Sequence, residues 1–126
     1  MKYIIDAHSW IEYLEGSKRG EEVYKILQSN NQVFVLPITI SEVVSKVKRK
    51  KENFELAYKS IISSAQVIEP TPKIAKEAGL LHAEMRKKHR GFGIVDALIV
   101  TTANLTHSIV VSGDRHFKKF KNVKML

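Results

Sequence analysis

The sequence contains no cysteine, and its hydrophobic runs are short. The absence of cysteine excludes a disulfide-stapled fold, a thiolate metal site and a cysteine nucleophile, and it agrees with an intracellular protein. No apolar run approaches the roughly 20 residues that a membrane-spanning helix needs. The first residues lead into a strand pattern rather than a signal peptide. We therefore expect a soluble cytoplasmic protein with no membrane partner.

Aspartate is also scarce, because ten of the 13 acidic residues are Glu and only Asp6, Asp96 and Asp114 are Asp. The chain uses Glu for its ordinary surface carboxylates. Each Asp therefore invites a specific explanation, such as a helix cap, a turn or a short and rigid metal ligand.

Basic residues are abundant, with 21 Lys and Arg and a formal net charge of +8, which favours a polyanionic partner such as nucleic acid. They concentrate in two clusters, KVKRKK at 46–51 and RKKHR at 86–90. A lysine run of this kind can contact phosphates, or it can be the solvated end of a helix. The candidate RNA-binding residues are Lys46, Lys48, Arg49, Lys50, Arg86, Lys87, Arg90 and Arg115.

Strand and helix patterns alternate along the chain. Short runs rich in Val, Ile and Phe predict strands at 3–5, 32–36, 66–69 and 109–111, with an edge strand at 122–126. Apolar residues at helical spacing predict helices at 7–15, 20–30, 40–54, 55–65, 71–89 and 93–104, the third of them capped by Thr39 or Ser41. We therefore expect a single α/β domain over 1–126, an α/β/α sandwich around a mainly parallel sheet of four or five short strands.

Four carboxylates stand at the ends of predicted strands or the starts of predicted helices. Asp6 and Asp114 follow strands, whereas Glu42 and Asp96 lie in the first turns of helices. Three of them have a structural alternative: Asp6 can be an N-cap, and Glu42 and Asp96 can be partners of a helix dipole. Right-handed crossovers place all four positions along one edge of a parallel sheet, where ligands usually bind.

Four converging carboxylates repel one another, and a divalent cation is the simplest relief. Hard oxygen ligands favour Mg²⁺ or Mn²⁺. Such ions can activate water and stabilise the transition state of phosphodiester hydrolysis, while surrounding Lys and Arg hold the nucleic acid. This combination predicts a metal-dependent nuclease.

Four segments with this order and spacing resemble the PIN domain family, and in particular the small toxin ribonucleases of VapBC type. The matching motifs are YIID with Asp6, PITISEVV with Glu42, VDALIVTTA with Asp96 and VVSGDRHF with Asp114. The resemblance covers essentially the whole chain. It implies a metal-dependent endoribonuclease whose four acids bind the metal, with Ser112 hydrogen-bonding within the acidic site. It also implies a homodimer that a cognate antitoxin holds inactive.

The chain departs from the family pattern after the first Asp, where a small hydroxyl residue is frequent two positions on. His8 stands there instead, and Ser9 comes one residue late. His8 can contact substrate or cap the first helix, and both roles stay open. We interpret Trp10 as a core or dimer-interface residue rather than a base-stacking platform, and the remaining histidines share no zinc-ligand spacing.

The hypothesis is a Mg²⁺- or Mn²⁺-dependent endoribonuclease that acts as the toxin of a type II toxin-antitoxin pair. One alternative is a free-standing RNA-processing nuclease of the same family. Another is a catalytically silent module that binds RNA or protein. A phosphatase of the haloacid dehalogenase type is disfavoured, because it needs a second Asp at the position of His8.

Overall fold

The computed structural model describes residues 1–126 and contains one five-stranded parallel sheet. The strands are β1 (Lys2–Ile5), β2 (Gln32–Val35), β3 (Gln66–Val67), β4 (Ile109–Ser112) and β5 (Val123–Met125). The helices are α1 (Ala7–Leu14), α2 (Gly20–Gln28), α3 (Pro37–Arg49), α4 (Phe54–Ser64), α5 (Pro72–Arg86) and α6 (Ile94–Thr106), and a short 3-10 helix spans Arg115–Phe117. The predicted fold class is confirmed. None of the helices is long and apolar enough to cross a membrane.

The strand order is β3-β2-β1-β4-β5, with β1 at the centre. The chain moves outward from β1 to β3 and then returns to place β4 on the other side of β1. This reversal is a topological switch point, and in open parallel sheets a crevice forms there beyond the carboxyl ends of the strands. Ile5 pairs with Val111 in the register, so the residues that follow β1 and β4 emerge side by side.

Neighbouring residues of the central strands face opposite layers, which explains their continuous apolar sequences. Ile5 and Val111 belong to a core with α1–α4, whereas Ile4 and Val110 belong to a second core with α5 and α6. All four side chains are essentially inaccessible to solvent. Trp10 is fully buried in the first core, so the prediction of a core role is confirmed.

Helix α3 begins earlier than its sequence pattern suggested, so the prediction of a Thr39 or Ser41 cap is wrong. The helix starts at Pro37 after an extended Leu36, and both hydroxyl residues lie inside it. Proline suits a first helical position because its φ is already helical and its missing N–H would have no partner there. Glu42 therefore lies beyond the first turn, and its interpretation as a first-turn dipole partner is also wrong.

The remaining boundaries differ by a few residues at helix ends. Helix α3 stops at Arg49, and the side chain of Asn53 caps α4 by accepting the Leu56 N–H at 3.0 Å. The predicted stop after α1 is confirmed, since Gly16 adopts a left-handed φ of +68°. Helix α5 ends at Arg86 rather than at residue 89.

A substitution at Phe92 tests how much the second core contributes to stability. Its ring is fully buried, 6.3 Å from the Phe117 ring and 5.8 Å from the Phe120 ring between centroids. We expect Phe92→Ala to lower the free energy of unfolding by about 3–5 kcal/mol in urea titrations, because it leaves a cavity. Leu80→Ala, at a side chain that is 64% exposed, should change it by less than about 0.5 kcal/mol. Equal stabilities would contradict this account of the core.

Candidate active site

A cavity of about 370 Å³ lies at the carboxyl edge of the sheet, beside the switch point between β1 and β4. All four predicted carboxylates line it: Asp6, Glu42, Asp96 and Asp114. They come from the end of β1, from α3, from the start of α6 and from the loop after β4. The predicted convergence is therefore present, while the role of these residues as metal ligands stays a prediction.

Asp6 is buried and caps α1. Its Oδ1 accepts the Ser9 N–H at 2.8 Å, and its own N–H donates to the Val111 carbonyl at 3.1 Å. The structural alternative considered for Asp6 is thus correct. Capping occupies Oδ1, and because a carboxylate has a second oxygen, it does not prevent Asp6 from binding a cation.

The hydroxyls around Asp6 connect α1 to β4 and to the loop that carries Asp114. Ser9 is fully buried, and its Oγ donates to the Val111 carbonyl at 3.2 Å. Ser112 is also fully buried, and its Oγ accepts the Asp114 N–H at 2.9 Å. Ser112 therefore shapes the loop that presents Asp114.

His8 lies within α1 and does not cap it, so that possible role is wrong. Its Nε2 lies 3.5 Å from Glu12 Oε1, one helical turn further along, and its side chain is about half exposed. It lines the carboxylate cavity together with Ala7 and Gly113. His8 thus forms part of the wall of the cleft, where its side chain can contact a bound molecule.

Asp96 and Asp114 also organise the local backbone. Asp96 Oδ2 accepts the Gly93 N–H at 2.8 Å and so closes the first turn of α6. Asp114 Oδ1 accepts the His116 N–H at 2.9 Å at the start of the 3-10 helix. Each acid is therefore held in place by its own element before any ligand binds.

The structure places two further residues beside the acids that the sequence patterns did not single out. His116 Nδ1 lies 2.6 Å from Asp114 Oδ1, and the position of His116 two residues after Asp114 was the available signal. A Cβ built on Gly113 would lie 3.6 Å from Arg19 Nη1, which places the Arg19 guanidinium near the cleft. Arg19 lies far from the acids in sequence and outside both basic clusters, so no sequence signal marked it.

Three of the acids have raised pKa values. Burial raises the pKa of Asp6, against hydrogen bonds from Ser112 and Ser9 that lower it. Burial also raises the pKa of Glu42, and the charges of Asp96 and Asp6 add to the increase. For Asp96, burial raises the pKa, the Gly93 N–H lowers it, and Asp114 and Asp6 raise it further. Neighbouring carboxylates therefore repel one another at Glu42 and Asp96, whereas burial is what raises the pKa of Asp6.

A divalent cation would relieve this repulsion, and the donor set is chemically suited to one. All four side chains offer hard carboxylate oxygens of the kind that Mg²⁺ and Mn²⁺ prefer. No group of three or more His, Asp or Glu side chains is already arranged as a formed metal site. The fit therefore rests on the chemistry of the donors and on their mutual effect on pKa.

The structure divides the predicted RNA-binding residues into two groups. Lys46 and Arg49 line a second cavity of about 480 Å³ that adjoins the first. Lys48 lies 5.3 Å from the centre of the Phe54 ring, and Lys50 Nζ lies 2.8 Å from a Glu15 oxygen. The other four are exposed and line neither cavity: Arg86, Lys87, Arg90 and Arg115.

A family model and several solved structures match almost the whole chain. The family model described as PIN domain matches residues 3–123, whereas no curated protein sequence matches. A toxin-antitoxin complex from Klebsiella pneumoniae contains a chain with 19% identity and a TM-score of 0.77, covering 98% of this chain and 96% of that one. VapBC2 from Rickettsia felis, bound to a DNA fragment from its promoter, contains a chain with 21% identity and a TM-score of 0.77, covering 100% of this chain and 98% of that one.

A third similar structure is Mycobacterium tuberculosis VapC20, a toxin that cleaves the sarcin-ricin loop. It is 15% identical, has a TM-score of 0.66 and covers 84% of each chain. At these identities the likeness concerns the fold. The expected PIN-type α/β/α architecture, with helices on both faces of the sheet, is thereby confirmed.

The raised pKa values predict how Asp96→Asn changes stability with pH. A carboxyl whose pKa rises on folding contributes stability below its unfolded pKa, and this contribution is lost as the pH rises through the folded pKa. Asn can still accept the Gly93 N–H but carries no charge. In EDTA we therefore expect Asp96→Asn to melt at a higher temperature than wild type at pH 7–8, with the difference closing below about pH 4.

Thermal unfolding followed by circular dichroism from pH 3 to 8 measures this effect. Glu84→Gln is the matched control, because it removes one negative charge at an exposed site on α5. An equal gain in both variants would show an effect of net charge and not of repulsion within the cleft.

Proposed function

Because this chain belongs to the PIN domain family, we propose that it is a metal-dependent endoribonuclease that hydrolyses RNA phosphodiester bonds. The observation that carries the proposal is the meeting of Asp6, Glu42, Asp96 and Asp114 in one cavity at the switch point of the sheet. Family membership supports a nuclease. The excess of basic residues supports an RNA substrate, because the phosphate backbone dominates the affinity of nucleic-acid binding.

In this proposal Asp6, Asp96 and Asp114 hold a Mg²⁺ or Mn²⁺ ion, and Glu42 completes the site or orients the attacking water. Bound there, the ion would supply charge stabilisation for the phosphate and easier deprotonation of water. The protein contributes backbone N–H groups that orient two of the acids. The Ser9 N–H orients Asp6 and the Gly93 N–H orients Asp96.

The loop after β4 orients Asp114 in a similar way. The Ser112 hydroxyl accepts the Asp114 N–H, and the His116 N–H donates to the Asp114 carboxylate. These bonds fix the backbone and one oxygen of Asp114. Fixed groups aimed at developing charge stabilise a transition state more effectively than mobile ones.

We expect Asp6→Asn and Asp96→Asn to lose cleavage but not folding. Asn caps a helix about as well as Asp, whereas it removes a charged metal ligand. Loss of several kcal/mol of transition-state stabilisation corresponds to at least a 100-fold fall in rate. The measurement is cleavage of total cellular RNA in Mg²⁺ or Mn²⁺, with cleavage abolished by EDTA and restored by either metal.

Glu84→Gln serves as the control for a carboxylate outside the cleft and should cut as wild type does. Circular dichroism of each variant separates a loss of chemistry from a loss of folding. Failure of the wild-type protein to cut RNA with either metal, or full activity of Asp6→Asn, would rule the proposal out and would favour the silent binding module.

The same proposal includes a cognate antitoxin and a homodimer, which makes the protein the toxin of a type II pair. The two neighbours described as a toxin-antitoxin complex and as VapBC2 support the antitoxin by analogy of fold. In this chain, a cavity of about 440 Å³ between α1 and the α3–α4 hairpin supports it, since most of its lining is apolar. Leu56 at its margin is 61% exposed.

We expect the product of a short reading frame beside this gene to bind the chain and to inhibit cleavage. Leu56→Glu should weaken that complex at least 10-fold in calorimetry, because it places a charge on the apolar margin. Leu80→Glu, at a similarly exposed leucine on α5, should not. Active protein without such a neighbour would favour the free-standing processing nuclease.

A further inference from the structure

We propose that the RNA strand reaches the carboxylate cleft along the groove between α1 and α3, where Lys46 and Arg49 hold the phosphates next to the one that is cut. The inference rests on the proposed function, because it takes the cleft as the place of cleavage. It assigns these two side chains, of the five cations in the first basic cluster, to the substrate.

The groove is continuous with the cleft. The carboxylate cavity and the cavity that contains Lys46 and Arg49 share the residues Ala7, His8 and Glu42. His8 lies at this junction with its side chain about half exposed. A strand that enters the second cavity therefore meets the acids without leaving the protein surface.

The charge of α3 changes sign along this groove. Glu42, Lys46 and Arg49 are separated by four and three residues, so they share one face of the helix. At 1.5 Å per residue, Lys46 lies about 6 Å and Arg49 about 10 Å along the helix axis from Glu42. The exposed residues Ser41 and Ser45 add hydroxyl donors to the same wall.

These two cations have neither a carboxylate partner within ion-pair distance nor an aromatic ring beneath them, unlike Lys50 and Lys48. Lys50 is bound to Glu15 at 2.8 Å, and Lys48 lies over the Phe54 ring. A lysine already paired must give up that contact before it can bind phosphate. Lys46 and Arg49 have no such contact to lose.

A polynucleotide would contact both ends of this groove, the acids at one end and the two cations at the other. One phosphate at the acids would share their divalent cation, and the next phosphates along the strand would meet Lys46 and Arg49. An acidic protein segment would match only the basic end and would be repelled by the cleft. The alternation of charge along the groove therefore favours RNA over an acidic peptide.

The test compares two double variants that remove the same charge from α3 and its C-cap. Lys46→Ala with Arg49→Ala, and Lys48→Ala with Lys50→Ala, are each made in the cleavage-deficient Asp96→Asn background. The probe is a fluorescein-labelled single-stranded 20-nucleotide RNA of random sequence, with binding followed by fluorescence anisotropy in Mg²⁺ between 50 and 200 mM salt. Circular dichroism confirms that each protein is folded.

Loss of two phosphate contacts should lower the slope of log Kd against log salt by about 1.4, since each contact to a single strand contributes about 0.7. The ratio of affinities between 50 and 200 mM salt then falls about 7-fold for the Lys46 and Arg49 pair. The Lys48 and Lys50 pair should leave the slope unchanged.

An equal change in both pairs would mean that only net charge matters, and would overturn the inference. An absence of RNA binding by the Asp96→Asn parent would also overturn it. A labelled 20-residue polyglutamate peptide is the second probe: if the Lys46 and Arg49 pair loses affinity for this peptide but not for RNA, the groove belongs to an acidic protein partner. If wild type cuts RNA but the slopes agree, the path is wrong and the nuclease stands. If the slope falls and wild type cuts no RNA, the RNA path stands and the nuclease fails.

Discussion

The parallel pairing of β1 with β4 is the constraint on which the rest of the structure depends. These strands are more than 100 residues apart in sequence, yet Ile5 lies opposite Val111. Because the strand order reverses between them, no crossover helix covers the space beyond their ends. Asp6 and Asp114 emerge into that space, and α3 and the start of α6 supply the walls on which Glu42 and Asp96 lie.

The carboxylates at this edge serve the fold and the proposed chemistry together. Asp6 caps α1, Asp96 closes the first turn of α6, and Asp114 accepts the N–H that begins the 3-10 helix. These hydrogen bonds fix each side chain in the absence of a ligand. Burial raises the pKa values of Asp6, Glu42 and Asp96, and the charges of neighbouring acids add to the increase for Glu42 and Asp96.

Sequence patterns predicted the fold well where local chemistry and tertiary packing agree. The apolar strands, the start of α5 near Thr71 and Pro72, and the stop of α1 before Gly16 all follow from local rules. The start of α3 did not follow, because hydroxyl residues at 39 and 41 imitate a cap while Pro37 had already begun the helix. His116 was also missed, although it lies only two residues after Asp114. Arg19 was missed because its proximity to the cleft depends on the loop between α1 and α2, whose course no periodicity describes.

The sequence by itself determined the class of fold and the four acidic candidates, because apolar periodicity and the position of a carboxylate at a strand end are local properties. Only the tertiary structure decided which basic residues adjoin the acids. Lys46, Lys48, Arg49 and Lys50 are alike in sequence, but successive helical positions point about 100° apart. Two of these residues therefore line the groove, while the other two contact Phe54 and Glu15. Helix geometry and the neighbours packed around it separate residues that the sequence shows as a single run of charge.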